Sequence, residues 1–261
     1  MYSKEHINYL KKERKKNLTI RFFQIIIILL FIFIWQLAAD LRLINTFITS
    51  SPKNIINTLI TLSHEDLFEH IFITVYETLF SFSLGTIIGL FIAAILWWNT
   101  YLYKIFDPYL TILNSLPKVA LGPIIIIWCG SGMKSIILMA LLISVIITII
   151  NITSAFKEVD SNKIKLFKSL KASKRQLFFK LILPDSLKSI ISSLKINISM
   201  SLIGVIMGEF LVSKKGIGYL ILYGSQIFNL NLVMTGIIVL SIVAAIMYYI
   251  VLYIEKKLTR T

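Results

Sequence analysis

Long apolar segments alternate with short polar ones along most of the chain. A helix that crosses the hydrocarbon core of a bilayer needs about 20 mainly apolar residues. Six segments meet this requirement: 22–39, 72–98, 108–128, 135–153, 188–210 and 232–254. The pattern therefore predicts an all-α, polytopic membrane protein with six transmembrane helices.

Two of the six segments are atypical. Segment 108–128 contains Pro117, Lys118 and Gly122, and proline or glycine is tolerated in a span only where neighbouring groups satisfy the freed backbone. Segment 22–39 follows a basic tail, but it is longer than the roughly 7–15 apolar residues of a cleavable signal peptide. It is predicted to remain as the first transmembrane helix.

The composition supports a membrane location. Hydrophobic residues make up 57% of the 261 residues and charged residues 15%, whereas soluble domains have roughly 25% charged residues. Cys129 is the only cysteine, which excludes an intramolecular disulfide and a thiolate metal cluster. The net charge of +14 would suggest nucleic acid in a soluble protein. In a membrane protein it is better explained by basic cytoplasmic loops, so no nucleic-acid partner is expected.

Lysine and arginine are distributed unevenly between the two sides of the predicted spans. The N-terminal tail has seven, loop 99–107 one, loop 154–187 eight and the C terminus three, whereas the alternate loops have two, one and two. Cytoplasmic loops are enriched in these residues, so both termini are predicted to be cytoplasmic. The chain then divides into a cytoplasmic tail (1–21), a transmembrane domain (22–254) and a second cytoplasmic tail (255–261).

The longest cytoplasmic loop, about residues 155–187, contains the basic and apolar stretch KLFKSLKASKRQLFFKLILP, from Lys165 to Pro184. Its six basic residues would attract anionic membrane lipid. Its leucines recur at helical spacing, and Ala172 and Ser173 interrupt the pattern, as a turn between two short helices would. An apolar face on such a loop needs either lipid or a protein to cover it.

This stretch resembles the EAA loop of ABC-transporter permeases. In that loop Glu-Ala-Ala is followed after three residues by Gly, and nine residues later by an apolar-x-Leu-Pro ending. The ending matches at Leu181, Leu183 and Pro184, whereas Lys171 stands at the Gly position. The Glu-Ala-Ala positions are occupied by Lys165, Leu166 and Phe167.

Four further segments are similar to segments of the nitrate/sulfonate/taurine-type importer permeases. They are SPKNIINTL (51–59), DPYL (107–110), SLPKVALGPIIIIWCGSGMKS (115–135) and GEFLVSKKGIGYLI (208–221). The resemblance runs in order and at matching spacing from about residue 20 to 258. The chain is therefore identified as a member of that family.

The resemblance implies a type I ABC importer-like permease fold, with two permease copies paired as a homodimer. A cytoplasmic ATPase dimer would bind ATP and Mg, and an extracytoplasmic solute-binding protein would deliver a small solute. The chain itself is expected to carry no catalytic residue, cofactor or metal. The residues expected to couple to the ATPase are Lys165, Leu166, Phe167, Leu170, Lys171, Ala172, Ser173 and Pro184, with three of them, Leu166, Phe167 and Leu170, as apolar anchors.

Polar residues within the spans are candidates for the solute pathway or a gate, because ionisable groups are costly in a membrane. These candidates are Lys118, Lys195, Asn197, Ser201 and Glu209. Plainer alternatives remain open: snorkelling for the lysines, hydrogen bonding to a neighbouring helix for Asn197 and Ser201, and a structural role for Glu209. Glu77 is a further ionisable residue within a span.

Two pairs of glycines form small-xxx-small patterns that allow helices to approach closely. They are Gly85 with Gly89 and Gly204 with Gly208. The patterns suit packing within one subunit or, for the second pair, a seam between two copies.

Three other features are predicted to carry no chemistry. GSGMKS and GIGYLI lack the spacing of phosphate-loop and dinucleotide motifs. His64 and His70 lie near acidic residues, but a spacing of six is poor for a shared metal on a helix. A solvated face is predicted for these histidines.

Two alternatives come from other functional classes. A polytopic membrane enzyme would need clusters of His, Asp or Glu within the spans, and the six segments supply none. An ATP-independent secondary transporter would usually show inverted repeats, and none is evident. The sequence does not specify the transported solute.

Overall fold

The computed structural model describes residues 4–259 of the chain, and within them every regular element is helical. The helices are α1 (Lys4–Asp40), α2 (Thr46–Thr49), α3 (Pro52–Ser63), α4 (Leu67–Trp98), α5 (Thr100–Ser115), α6 (Gly122–Cys129), α7 (Met133–Lys157), α8 (Ser161–Ser169), α9 (Lys174–Leu177), α10 (Leu183–Val212), α11 (Ile217–Gln226) and α12 (Leu230–Thr259). A 3₁₀ turn (Lys118–Leu121) precedes α6, and a π-helical segment (Phe178–Ile182) joins α9 to α10. The all-α prediction is confirmed.

Five helices of the described chain are long and apolar enough to cross a membrane: α1, α4, α7, α10 and α12. Each contains one of the predicted spans. The predicted tail boundary at residue 21 does not coincide with a helix end, because α1 is already helical from Lys4. Residues 1–3 and 260–261 of the predicted tails lie outside the described residues.

The predicted span over residues 108–128, which proline and glycine interrupt in the sequence, is sharply bent. The chain here forms α5 and, after the 3₁₀ turn, α6, with a bend of 88° between them. Pro117 stands at the break, where its missing N–H and fixed φ oppose a continuous helix. Lys118 Nζ donates to the carbonyl oxygen of Asn114 at 3.1 Å, which satisfies one of the last carbonyls of α5. Together the pair can form a sixth, bent span.

The centre of the fold is a bundle of α4, α7 and α10, in which α7 contacts both other helices extensively. All four predicted packing glycines face α7. A Cβ added at Gly208 would lie 2.8 Å from Ile136 Cα, and one at Gly85 would lie 2.7 Å from Ser144 Oγ. Gly204 and Gly89 approach Ala140 and Thr148 in the same way. Within this chain, both glycine faces are therefore occupied by α7.

The loop predicted to be cytoplasmic forms the two predicted short helices, α8 and α9, with a turn between them. The turn closes with two backbone hydrogen bonds, from Ala172 N–H to Phe167 O at 3.0 Å and from Lys171 N–H to Lys168 O at 2.9 Å. This is the bonding pattern of a Schellman motif. Lys171 adopts φ 57°, so the chain keeps the left-handed conformation at the position where the resembling family has glycine.

Replacing Lys171 with glycine should stabilise this turn. The left-handed region disfavours residues with a Cβ by about 1–2 kcal/mol, and glycine loses part of that gain through its larger unfolded-state entropy. We expect the free energy of unfolding of the purified full-length protein to rise by about 0.5–1 kcal/mol in thermal or denaturant melts. Ser169→Gly, within α8, is the control and should destabilise by up to about 1 kcal/mol. Equal effects of the two substitutions would contradict the strain at Lys171.

Candidate functional site

The α8–α9 loop is fixed to the membrane bundle at both ends. Lys163 on α8 forms an ion pair with Asp185 on α10 at 2.6 Å, and this carboxylate raises the pKa of Lys163. Lys174 Nζ donates to the carbonyl oxygen of Trp98 at the end of α4. The Ser173 hydroxyl accepts the N–H of Gln176 at 3.2 Å in a capping box that starts α9. These contacts hold the loop in one position relative to the bundle.

The base of the loop packs on an aromatic and aliphatic cluster at one end of the bundle. The Phe178 ring lies 4.8 Å from the Trp97 ring and 5.5 Å from the Phe156 ring. Leu177 and Leu181 are buried in the same cluster. Leu177 and Leu181 are two of the four leucines that recur at helical spacing in this loop. They support the loop from beneath and are not available to a partner.

Two other leucines of the loop, one on α8 and one directly after it, are exposed. Leu166 is 58% exposed and Leu170 is 71% exposed. Three lysines close to them in the sequence are also exposed. We call the set of Lys165, Leu166, Lys168, Leu170 and Lys171 the α8 surface.

Four residues predicted to couple to the ATPase have other structural surroundings. Phe167 is half-buried and packs against the cluster beneath the loop. The prediction that it serves as an anchor for the ATPase is corrected, because its ring is in contact with the hydrophobic residues at the base of the loop. Ser173 is the N-cap of α9, and Pro184 stands in the first turn of α10. Ala172 is half-buried in the turn.

A second polar site lies where the opposite end of α10 turns into α11. The Glu209 side chain is fully buried. Its Oε1 accepts the Thr74 hydroxyl at 2.6 Å, and its Oε2 accepts the Gly218 N–H at 2.5 Å. Gly218 is required here, because a Cβ would lie 2.7 Å from Oε2. Glu209 therefore connects α10 with both α4 and α11.

The α10–α11 turn, residues 213–216, is held against α4 by further contacts. His70 Nδ1 accepts the N–H of Gly216 at 2.9 Å, and Thr74 Oγ1 accepts the N–H of Ile217 at 2.8 Å. Lys215 forms an ion pair with Glu69, which raises the pKa of Lys215. The predicted solvated face is thus wrong for His70, which is buried because the turn backbone needs an acceptor there.

The sequence-predicted polar residues do not form one site. Lys195 on α10 is paired with Glu255 on α12 at 2.9 Å, and Asn197 Nδ2 donates to Thr86 Oγ1 on α4 at 2.6 Å. Ser201 is fully buried, one turn from Asn197. Lys118 lies at the α5–α6 bend. Their participation in a pathway or gate stays a prediction.

Sequence reasoning missed Thr74 and His70 as partners of the α10–α11 turn. A signal was present on α4, whose buried face consists mostly of polar or small residues at helical spacing. They are His70, Thr74, Glu77, Thr78, Ser81, Gly85, Gly89 and Ala93. In a membrane helix such a face indicates contact with other helices.

Residues 85–260 of the chain match the family described as binding-protein-dependent transport system inner membrane component. This region includes part of α4, the α8–α9 loop and α10 to α12. It covers more than half of the chain.

Several known proteins are similar in sequence. The formylaminopyrimidine transport permease protein ThiX of Halalkalibacterium halodurans is 28% identical over 52% of this chain and 55% of its own length. The putative aliphatic sulfonates transport permease protein SsuC of Bacillus subtilis is 28% identical over 69% of this chain and 65% of its own. The taurine transport system permease protein TauC of Escherichia coli is 26% identical over 59% and 56%. The matches thus span between about half and two thirds of these relatives.

Solved structures share the fold. A chain of the MetNI methionine ABC transporter, in an inward-facing conformation, aligns with a TM-score of 0.64 over 74% of this chain and 94% of that chain, at 19% identity. A chain of an amino acid ABC transporter aligns with a TM-score of 0.59 over 77% and 97%, at 14% identity. The chain therefore belongs to the binding-protein-dependent transport system inner membrane component family.

Proposed function

We propose that this chain is the permease subunit of an ATP-driven importer and forms the path of a small solute across the cell membrane by alternating access. The observation that carries the proposal is the family match over residues 85–260, which includes most of the membrane bundle and the α8–α9 loop. Three similar proteins are named as transport permeases, for formylaminopyrimidine, aliphatic sulfonates and taurine. A non-enzymatic transport role is consistent with these names.

A separate cytoplasmic ATPase is the partner proposed for the α8 surface. A short helix with exposed Leu166 and Leu170 suits docking into an apolar groove. The surrounding lysines suit an acidic rim on that groove or adjacent anionic lipid. ATP and Mg would bind to the ATPase. Among the described residues of this chain, no group of three or more His, Cys, Asp or Glu side chains is placed to hold a metal.

A second copy of the chain and an extracytoplasmic solute-binding protein complete the proposed assembly. The bent α5–α6 segment is consistent with pairing to a second copy, because its polar residues Asn114 and Ser115 are exposed. Polar groups are unfavourable against lipid tails, and a partner or a water-filled pathway would satisfy them. The transported solute is proposed to be a small molecule, and the residues of this chain do not specify which one.

The proposed orientation places the α6–α7 connection outside the cell. Cys129, at the end of α6, is exposed and is the only cysteine. We expect a membrane-impermeant thiol reagent to label it in right-side-out vesicles and not in sealed inside-out vesicles. Ser169→Cys in a Cys129→Ser background should show the opposite pattern, since Ser169 lies on the proposed cytoplasmic loop. Labelling of both positions from the same side would contradict the orientation.

Isolation of the assembly tests the proposed partners. The affinity-tagged chain, extracted from its native membranes in mild detergent, should carry an ATPase subunit. Native mass measurement should give two copies of this chain and two of the ATPase. A chain that is isolated intact but without an ATPase would contradict the proposal.

A further inference from the structure

One histidine side chain of α4 accepts a hydrogen bond from the backbone of the α10–α11 turn. The Nδ1 atom of His70 accepts the Gly216 N–H at 2.9 Å. In a neutral imidazole one ring nitrogen accepts a hydrogen bond and the other carries the proton. Because Nδ1 accepts here, the ring of His70 must carry its single proton on Nε2.

A second proton on this ring is incompatible with the contact. An imidazolium ring donates at both nitrogens, so the Nδ1 proton would point at the Gly216 N–H, which is also a donor. Gly216 is buried, and a buried N–H that loses its acceptor bears the full cost of its desolvation. The contact and a proton on Nδ1 therefore exclude each other.

The ring of His70 is within reach of water. It lines a cavity of about 710 Å³ between α3, α4 and α11. The exposed side chains of Glu65, Asp66 and Lys214 line the same cavity, which is therefore open to solvent. The ring of Tyr219 stacks on that of His70 at a centroid distance of 5.9 Å. His70 can thus exchange a proton with solvent while its ring is held in place.

The titratable groups around His70 come from every element packed near it. They are Glu65, Asp66 and Glu69 from the start of α4, Lys214 and Lys215 from the turn, Glu209 from α10, and Tyr219 and Tyr223 from α11. Glu69 is paired with Lys215, and Glu209 already accepts donors on both carboxylate oxygens. Asp66 stands at the N-cap of α4, one helical turn before His70, so it offers an alternative acceptor to a protonated ring.

We infer that acid releases the α10–α11 turn from α4, with His70 as the group that binds the proton. The contact with Gly216 is present while His70 is neutral and is lost as the pH falls through the titration of its ring. Thr74 Oγ1 still accepts the Ile217 N–H, so the release is confined to the turn. The inference goes beyond the proposed function, since it concerns a response of this chain to pH and not its solute or its partners.

Backbone hydrogen exchange in the turn tests this inference on the full-length protein in lipid nanodiscs. After correction for the intrinsic pH dependence of exchange, protection of residues 213–217 should fall about tenfold between about pH 8 and about pH 5, because one buried N–H loses its acceptor. His70→Asn supplies an oxygen that accepts the Gly216 N–H and does not titrate, so this variant should keep its protection at both pH values. His64→Asn, at an exposed histidine, is the matched control and should respond as the wild type does.

Two results of the exchange experiment would overturn the inference: wild-type protection that does not change with pH, or a His70→Asn variant that keeps the wild-type response. Glu69→Gln addresses the other contact of the turn that acid could break, the ion pair with Lys215. This variant should keep the pH response. Its loss in Glu69→Gln would overturn the inference by assigning the response to that ion pair.

The position of the ring proton has an independent measurement that leaves His70 unchanged. The chain has three histidines, so His6→Asn combined with His64→Asn leaves His70 as the only one. Nitrogen-15 NMR of this ring should show a bare Nδ1 and a protonated Nε2 at about pH 8, and protons on both nitrogens at about pH 5. A proton on Nδ1 at the higher pH would overturn the inference, as would a ring that stays neutral at the lower pH.

Discussion

Replacing Gly204 with leucine should prevent α7 and α10 from packing and should remove most of the folded protein from the membrane. A Cβ at Gly204 would overlap the backbone of Ala140 on α7, and backbone atoms cannot move aside as a flexible side chain can. One turn further, Gly208 is similarly close to Ile136. Because overpacking a core typically destabilises by about 1–3 kcal/mol even where side chains can adjust, we expect a larger loss here.

The yield of monodisperse protein after detergent extraction, followed by a thermal melt, measures this effect. Ile203→Leu is the matched control, because Ile203 is the adjacent residue and is exposed. It should behave as the wild type does. A Gly204→Leu variant with wild-type yield and melting temperature would contradict the close packing of α7 and α10.

A double substitution of Leu166 and Leu170 with aspartate should abolish binding of the ATPase without unfolding the membrane bundle. Both side chains are exposed on the α8 surface, so no core contact is lost. Central apolar anchors of an interface commonly contribute about 2 kcal/mol each. If both act in this way, affinity should fall by about three orders of magnitude, since about 1.4 kcal/mol corresponds to a factor of ten.

Quantitative binding of the purified ATPase to the reconstituted protein measures the loss. Leu43→Asp is the control, because Leu43 is 74% exposed and lies in the turn after α1, on the opposite side in the proposed orientation. It should leave ATPase binding unchanged. If the double variant binds the ATPase normally but is displaced from anionic lipid, the α8 surface is a lipid contact and not the coupling surface.

The spans were predictable because their length and hydropathy are local properties of the sequence. Residues 72–98 and 135–153 each lie within one long helix, α4 and α7. The α5–α6 bend was only partly predictable. Pro117 marks the break, but the direction of the following turn depends on contacts such as that of Gly122 with Leu211 on α10, which the local sequence does not contain.

The candidate sites show the same division. Glu209 was identifiable as an ionisable residue in a span, and Leu166 and Leu170 as part of an apolar face on a loop predicted to be cytoplasmic. The partner of Glu209, Thr74, is 135 positions away in the sequence. His70 looked solvated among its acidic neighbours, whereas it is covered by the α10–α11 turn. Phe167 faces inward for a similar reason, since the cluster beneath it forms from separate helices.

Solute uptake into proteoliposomes tests the central claim most directly. The chain, its ATPase and its binding protein would be reconstituted, with the solute identified beforehand by a thermal-shift screen of the binding protein. Uptake should require ATP on the side of the ATPase and should stop when the ATPase is omitted. Uptake that continues at the same rate without ATP or without the ATPase would contradict the claim that this chain is the permease of an ATP-driven importer.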